Sequence, residues 1–170
     1  MNIKSLGNAP ERRITTVRSH EASVTIGVGR PVCFNVDGTR TCQDVVLPGT
    51  GGAALATSLF AGIAAEDIEP GTFGIAIAGG FCQYALVTRQ VRAASTDSFA
   101  SAASIPAGAI LQVDTAGNAL SVSANSLAVS GFFPAMVLAE SMSSLASAAS
   151  ATSQTALRIE TITKVWLRLL

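Results

Sequence analysis

Catalysis at neutral pH leans on a few residue types, and this chain is short of the commonest one. Its single histidine, His20, lies in a charged segment without regular apolar spacing. A Ser-His-Asp or Cys-His arrangement would have to be built on it, and nothing nearby supplies the partners, so His20 reads as a solvated residue. Three cysteines, Cys33, Cys42 and Cys82, and that one histidine lack the paired spacing of a zinc site. Glu66, Asp67 and Glu69 cluster just before Pro70-Gly71. Neighbouring carboxylates can work as general acid and base or hold calcium, but no second acidic cluster or EF-hand pattern accompanies these, and a solvated turn is expected. The loop at 49–54, Gly-Thr-Gly-Gly-Ala-Ala, imitates the G-x-G-x-x-A fingerprint of a dinucleotide site after Val45-Val-Leu47. Pro48 interrupts the passage from strand to loop, and the chain downstream turns at Pro70-Gly71 instead of completing a βαβ unit. The expectation is no catalytic residue, no cofactor and no metal, with a nucleotide-binding domain using the 49–54 loop as the alternative of a different class.

Cys33 and Cys42 flank Asp37-Gly38, a dipeptide that accepts the positive φ values of a type I′ hairpin turn. A two-residue turn there sets Val36 opposite Thr39, Phe34 opposite Thr41 and Cys33 opposite Cys42. By alternation the cysteine pair is non-hydrogen-bonded, with Cα atoms about 4.5 Å apart, at the short end of what a disulfide tolerates. Such thiols stay reduced in the cytosol and can oxidise outside it. Cys82, in an apolar run, reads as a core residue.

The elements that carry these residues are short and β-prone. Val24, Ile26 and Val28 alternate onto one face of 22–28. Asp44-Val-Val-Leu47, Leu59-Phe-Ala-Gly-Ile-Ala64, Thr72-Phe-Gly-Ile-Ala-Ile77 and Phe81-Cys-Gln-Tyr-Ala-Leu-Val-Thr88 follow as strands, with Glu69-Pro-Gly-Thr72 as a turn and Gly79-Gly80 as a corner. The stretch 53–65 also has helical propensity. Ile110-Leu-Gln-Val113 and Ala119-Leu-Ser-Val122 flank another turn. Residues 132–139 form a strand that Pro134 places at an edge or bulge, and 158–170 close the chain on a strand. Turn signals at short intervals point to a mainly β fold, a small sandwich or barrel of jelly-roll-like or tulip-like form. Residues 1–22 read as an extended amino-terminal arm and 23–170 as one β domain with a Ser/Ala-rich crossing at 141–155.

Composition narrows the function classes. Apolar residues make up 49% of the 170 residues and aromatics only 5%, so the core is built from small aliphatic side chains. Lys plus Arg balances Asp plus Glu, giving a formal charge of zero, which disfavours nucleic acid as a partner. The amino-terminal end is nonetheless mildly basic, and Lys4, Arg12, Arg13 and Arg18 are candidates for docking on an acidic partner. No run approaches the ~20 apolar residues of a membrane helix, and the start lacks a secretory h-region, so a soluble protein made in the cytoplasm is expected. A sparsely charged, neutral surface suits a subunit of an assembly.

The order of segments resembles that of tailed-bacteriophage head decoration proteins, which cement capsids. Leu59-Phe-Ala-Gly-Ile-Ala-Ala-Glu-Asp-Ile-Glu-Pro-Gly-Thr-Phe-Gly74 is similar to that family's apolar, acidic, turn and Gly-x-x-Gly passage. Gly29-Arg-Pro-Val32, Ile105-Pro-Ala-Gly108 and Val165-Trp-Leu-Arg-Leu-Leu170 resemble its Gly-led and closing strands. The resemblance covers about residues 24–170 and rests on the order of its parts; the crossing at 141–155 and the arm at 1–22 depart from it. It implies a β-rich virion protein on the capsid exterior, with the major capsid protein and further copies of itself, as a homotrimer, for partners. A Cys33–Cys42 disulfide is then expected in released particles. Another virion component, a tail or fibre part, is the alternative within the same class.

Overall fold

The computed structural model describes residues 12–35, 43–49, 59–91, 107–114, 119–122, 136–140 and 157–167. It is mainly β, and no α-helix occurs among the described residues. Among the described residues nine strands form one mixed sheet: β1 (Arg12–Ser19), β2 (Pro31–Phe34), β3 (Asp44–Val46), β4 (Phe60–Ala64), β5 (Phe73–Val91), β6 (Ile110–Asp114), β7 (Ala119–Val122), β8 (Met136–Leu138) and β9 (Leu157–Leu167). The strand order is β1-β3-β2-β4-β5-β7-β6-β8-β9, and the extra pairings β1–β5 and β5–β9 close it into two circuits of five strands that share β5. At 19 residues β5 is long enough to serve both.

The two circuits repeat one topology. In the first, β1 and β3 run parallel while β3–β2, β2–β4, β4–β5 and β5–β1 are antiparallel. In the second, β5 and β7 run parallel while β7–β6, β6–β8, β8–β9 and β9–β5 are antiparallel. The registers agree as well. Taking Val45 as equivalent to Leu120 makes Phe34 equivalent to Val113, Ile63 to Val137, Ile77 to Trp166, Gly74 to Thr163, Val17 to Ala85 and Ser19 to Val87, and the last step returns to Val45 and Leu120 without a slip. Gly29 and Gly108 fall on equivalent positions with φ of +83° and +86°. Ala65 N donates to Ile75 O at 2.8 Å, and the equivalent Ala139 N donates to Lys164 O at 2.9 Å. The described residues thus form a structural repeat whose second unit begins on the strand that ends the first.

Two apolar clusters lie on opposite sides of this sheet. Val17, Ile26, Val32, Val45, Leu47, Ala61, Ala64, Ile68 and Ala76 fill the first circuit, where Ile26 and Ile68 exchange backbone hydrogen bonds of 2.9 Å. Cys82, Ala85, Val87, Leu111, Val113, Leu120, Val165 and Leu167 fill the second, joined by Cys33, Ile63 and Ile77 from the outward side of the first. Small residues allow this close layering: a Cβ at Gly74 would stand 2.5 Å from Ile68 Cγ1.

Several expectations are corrected. Residues 12–19 are not part of a separate arm; β1 pairs with β5 along its length and buries Val17 and Ser19, because alternation there is masked by outward-facing arginines and threonines. Residues 1–11 lie outside the described residues. The segment 22–28 is no alternating strand: Ile26 is buried in an isolated bridge to Ile68, whereas Val24 and Val28 are exposed. Gly79-Gly80 is no corner. β5 runs through it, with a bulge opposite the Arg13/Ile14 step and φ of +86° at Gly80. The Cys33 hairpin register also differs: Cys33 faces Val46 and Phe34 faces Val45. Buried apolar residues fix register, and here the burial of Val45 and Val46 sets the pairing in place of the Asp37-Gly38 turn. Residues 36–42, with Cys42, lie outside the described residues, as do 50–58, 92–106, 115–118, 123–135, 141–156 and 168–170; the loop at 50–54, Pro134 and the Ser/Ala crossing fall there. The strand at 60–64, the Glu69-Pro-Gly-Thr72 turn, with Gly71 at φ +74° and Thr72 N donating to Glu69 O at 3.1 Å, the β6–β7 hairpin and the closing strand stand as read from the sequence.

Candidate functional site

The residues with the greatest chemical potential are used by the fold. Asp67 Oδ1 accepts Val28 N at 2.7 Å and Glu66 Oε1 accepts Ile75 N at 2.9 Å, so this acidic turn braces the backbone on either side of it. Glu21, buried, accepts Leu47 N at 2.7 Å. His20 N donates to Val45 O at 2.8 Å at the end of β1. Asp44 is buried at the β1–β3 pairing opposite Arg18, and its Oδ1 has no hydrogen-bond partner among the described residues. Among the described residues no group of three or more His, Cys, Asp or Glu is placed to hold a metal ion. No helix among them is long and apolar enough to cross a membrane.

Cys33 and Cys82 are free thiols in the same cluster. Burial pushes Cys33 up to about 12. Burial also raises Cys82, against the opposing pull of a hydrogen bond from the Tyr84 backbone and the charge of Arg12. Thiolate is the reactive form, so neither thiol should be labelled by a water-soluble alkylating agent in the native protein at neutral pH, and both should react on unfolding. Labelling of Cys33 at the rate of an unfolded control would contradict its placement.

The equivalent of Glu66 in the second unit is Glu140, which sits against the equivalent of Ile75, Lys164. Lys164 Nζ donates to Glu140 Oε2 at 2.8 Å and Thr163 Oγ1 to Oε1 at 3.3 Å. The Lys164 side chain, with help from its backbone N–H and Thr163, holds the Glu140 carboxyl below its ordinary 4.5. A depressed carboxylate contributes stability above its unfolded value and loses it as pH falls through the folded one. The thermal midpoint of Glu140→Gln should therefore lie slightly below that of the parent at neutral pH and converge with it below pH 4.5; a gap that persists in acid would contradict the assignment.

The basic residues expected to reach a partner are spread along β1. Arg12 and Arg13 are exposed beside Gly79 and Gly80. Arg18 donates from Nε to Gly71 O at 3.3 Å and lies 6.0 Å from the Phe73 ring centroid. Lys4 lies outside the described residues.

What the outer faces offer is apolar. Ile14 and Phe73, each 62% exposed, and Ile75, 40% exposed, form a stripe across β1 and β5. They lie on the side of β5 to which Ile77 belongs, since Ile14 is opposite Ile77 and Phe73, Ile75 and Ile77 alternate along the strand. A second stripe lies across β5 and β9, where Phe81 and Trp166 face each other with ring centroids 5.2 Å apart and planes at 54°. Ile162, 63% exposed, extends it. Val165 and Leu167 point into the core between these positions, so this stripe faces the other way. Sequence reading did not find either stripe, because each is assembled from strands distant in the chain; the outward β-period residues of 157–167 were the available signal.

A scan against models of known protein families and a search of curated proteins both returned no match.

Proposed function

We propose that this chain is a structural virion protein that binds the outer surface of a tailed-phage capsid and stabilises the shell, without catalysis. The observation that carries the reading is the division of labour among its side chains. Glu21, Glu66 and Asp67 brace backbone, while the outward faces present Ile14, Phe73, Ile75, Ile162 and Trp166. Exposed apolar residues gathered in stripes mark interaction surfaces. The resemblance in segment order to head decoration proteins supplies the kind of partner, the major capsid protein, and the location on the exterior of a particle assembled in the host cytoplasm.

In this reading each circuit of five strands is a small β-barrel, and the two barrels share β5 as a common stave. A rigid double barrel with shallow contacts on several faces suits a cement, in which modest affinity per subunit is multiplied by the number of lattice sites. Arg12 and Arg13 add a salt-sensitive component to docking on an acidic shell. Copy number tests the function: quantitative mass spectrometry of purified particles should find this chain in proportion to the major capsid protein. A handful of copies per particle would favour a tail or fibre part, and absence from particles would refute the reading.

A further inference from the structure

A row of side chains crosses the outward face of the first circuit. Register sets Arg18 opposite Asp44 of β3 on one side and opposite Phe73 of β5 on the other, and side chains at paired positions point to the same face of a sheet. The fold does not need charge in this row: the equivalent positions of the second circuit hold Ala119, Leu86 and Ile162, all apolar. Arg18 holds one of the two neighbours within its reach. Its Nε donates to Gly71 O at 3.3 Å, and its Cζ lies 6.0 Å from the Phe73 ring centroid, at the outer limit of a cation–π contact. Asp44, where the second circuit has buried Ala119, is itself buried, and its Oδ1 meets no donor among the described residues. A carboxylate oxygen shut away from water without a donor is costly. A bond to it from Arg18 would be charge-assisted and stronger than either long contact that Arg18 makes.

We propose that Arg18 is a two-position side chain that senses whether the Phe73 ring is free. While the ring is open to solvent, the ring and Gly71 O together hold the guanidinium in its position in the structure. When an apolar surface takes the ring face, the guanidinium moves to Asp44 and fastens β1 to β3. Docking on Phe73 and the firmness of the β1–β3 pairing are then coupled, because a surface that covers the ring binds one of the two positions better than the other. That the surface belongs to a capsid shell rests on the proposed function; the two positions of Arg18 do not.

A double-mutant cycle on the full chain, without any partner, tests the switch. Asp44→Asn, Arg18→Gln and the pair together are unfolded in urea, in the parent and again in the Phe73→Ala background. Removing the ring withdraws the first position as covering it does. Arg18 and Asp44 should be coupled by less than about twofold in the unfolding equilibrium constant of the parent, and by about tenfold or more in the Phe73→Ala background. Coupling that does not rise when the ring is removed overturns the proposal. Should chains with Asp44→Asn fail to fold, hydrogen exchange at Arg18 Nε, followed by NMR in the parent and in Phe73→Ala alone, replaces the cycle. That proton should exchange about tenfold more slowly in the variant, and an unchanged or faster rate overturns the proposal. Neither measurement involves a shell, so failure of the switch and failure of capsid binding are separable.

Discussion

Gly29→Ala should destabilise the protein by about 3 kcal/mol or more, while Gly108→Ala, at the equivalent position of the second unit, should cost only about 1–2 kcal/mol. Both glycines have φ in the left-handed region, +83° and +86°, where an L side chain costs roughly 1–2 kcal/mol. They differ in surroundings. A Cβ at Gly29 would run into the carbonyl oxygen of Tyr84, whereas nothing stands within 4 Å of one at Gly108. Gly29 is also held on both sides, its N–H donating to Ala64 O at 2.9 Å and its carbonyl accepting Leu86 N at 2.8 Å. Relieving the clash would loosen hydrogen bonds that tie β4 and β5 together, each worth about 1 kcal/mol. Urea denaturation of the two variants measures the difference. Equal costs would mean that the first unit does not press against β5 at Gly29.

The second large effect is expected at the junction of the two units. Ile77 is 1% exposed and belongs by strand to the first circuit but by packing to the cluster of the second. Its truncation to Ala leaves a cavity between them, and buried Ile to Ala changes cost about 2–5 kcal/mol. Ile75, two residues earlier on the same side of the strand, is 40% exposed, and Ile75→Ala should cost under about 1 kcal/mol. Because β5 runs through both circuits, Ile77→Ala should shift the single Trp166 fluorescence transition and the circular dichroism transition together. Separate transitions, or similar costs at the two isoleucines, would contradict the shared core.

The sequence was informative where local chemistry decides. Pro70-Gly71 sets its turn through fixed and positive φ, and β4, the β6–β7 hairpin and β9 follow from alternation and β-branched content. It was uninformative where distant partners decide. Arg12–Ser19 looks like a polar arm because only Val17 and Ser19 in it are buried, and one of these is polar. The Cys33 register was misread because Asp37-Gly38 argues for a tight turn, whereas the burial of Val45 fixes the pairing. The structural repeat is hidden for a related reason. Equivalents Val17 and Ala85 are 68 residues apart, but Ile77 and Trp166 are 89 apart, so connections of unequal length abolish any fixed period. Ala65-Glu66 against Ala139-Glu140 and Gly29 against Gly108 are the traces that remain. The acidic turn was legible as a turn, but its use as a backbone brace was not, since Val28 and Ile75 meet it only through the sheet.

Image reconstruction of particles lacking the chain, before and after addition of the purified protein, tests the proposal that this molecule works on the outside of a capsid. New density is expected on the outer surface at regular lattice positions, into which the nine-stranded sheet fits, and it should be reduced when Arg12 and Arg13 are replaced by Glu. Shells that remain bare at saturating protein, or density confined to the tail, would contradict it.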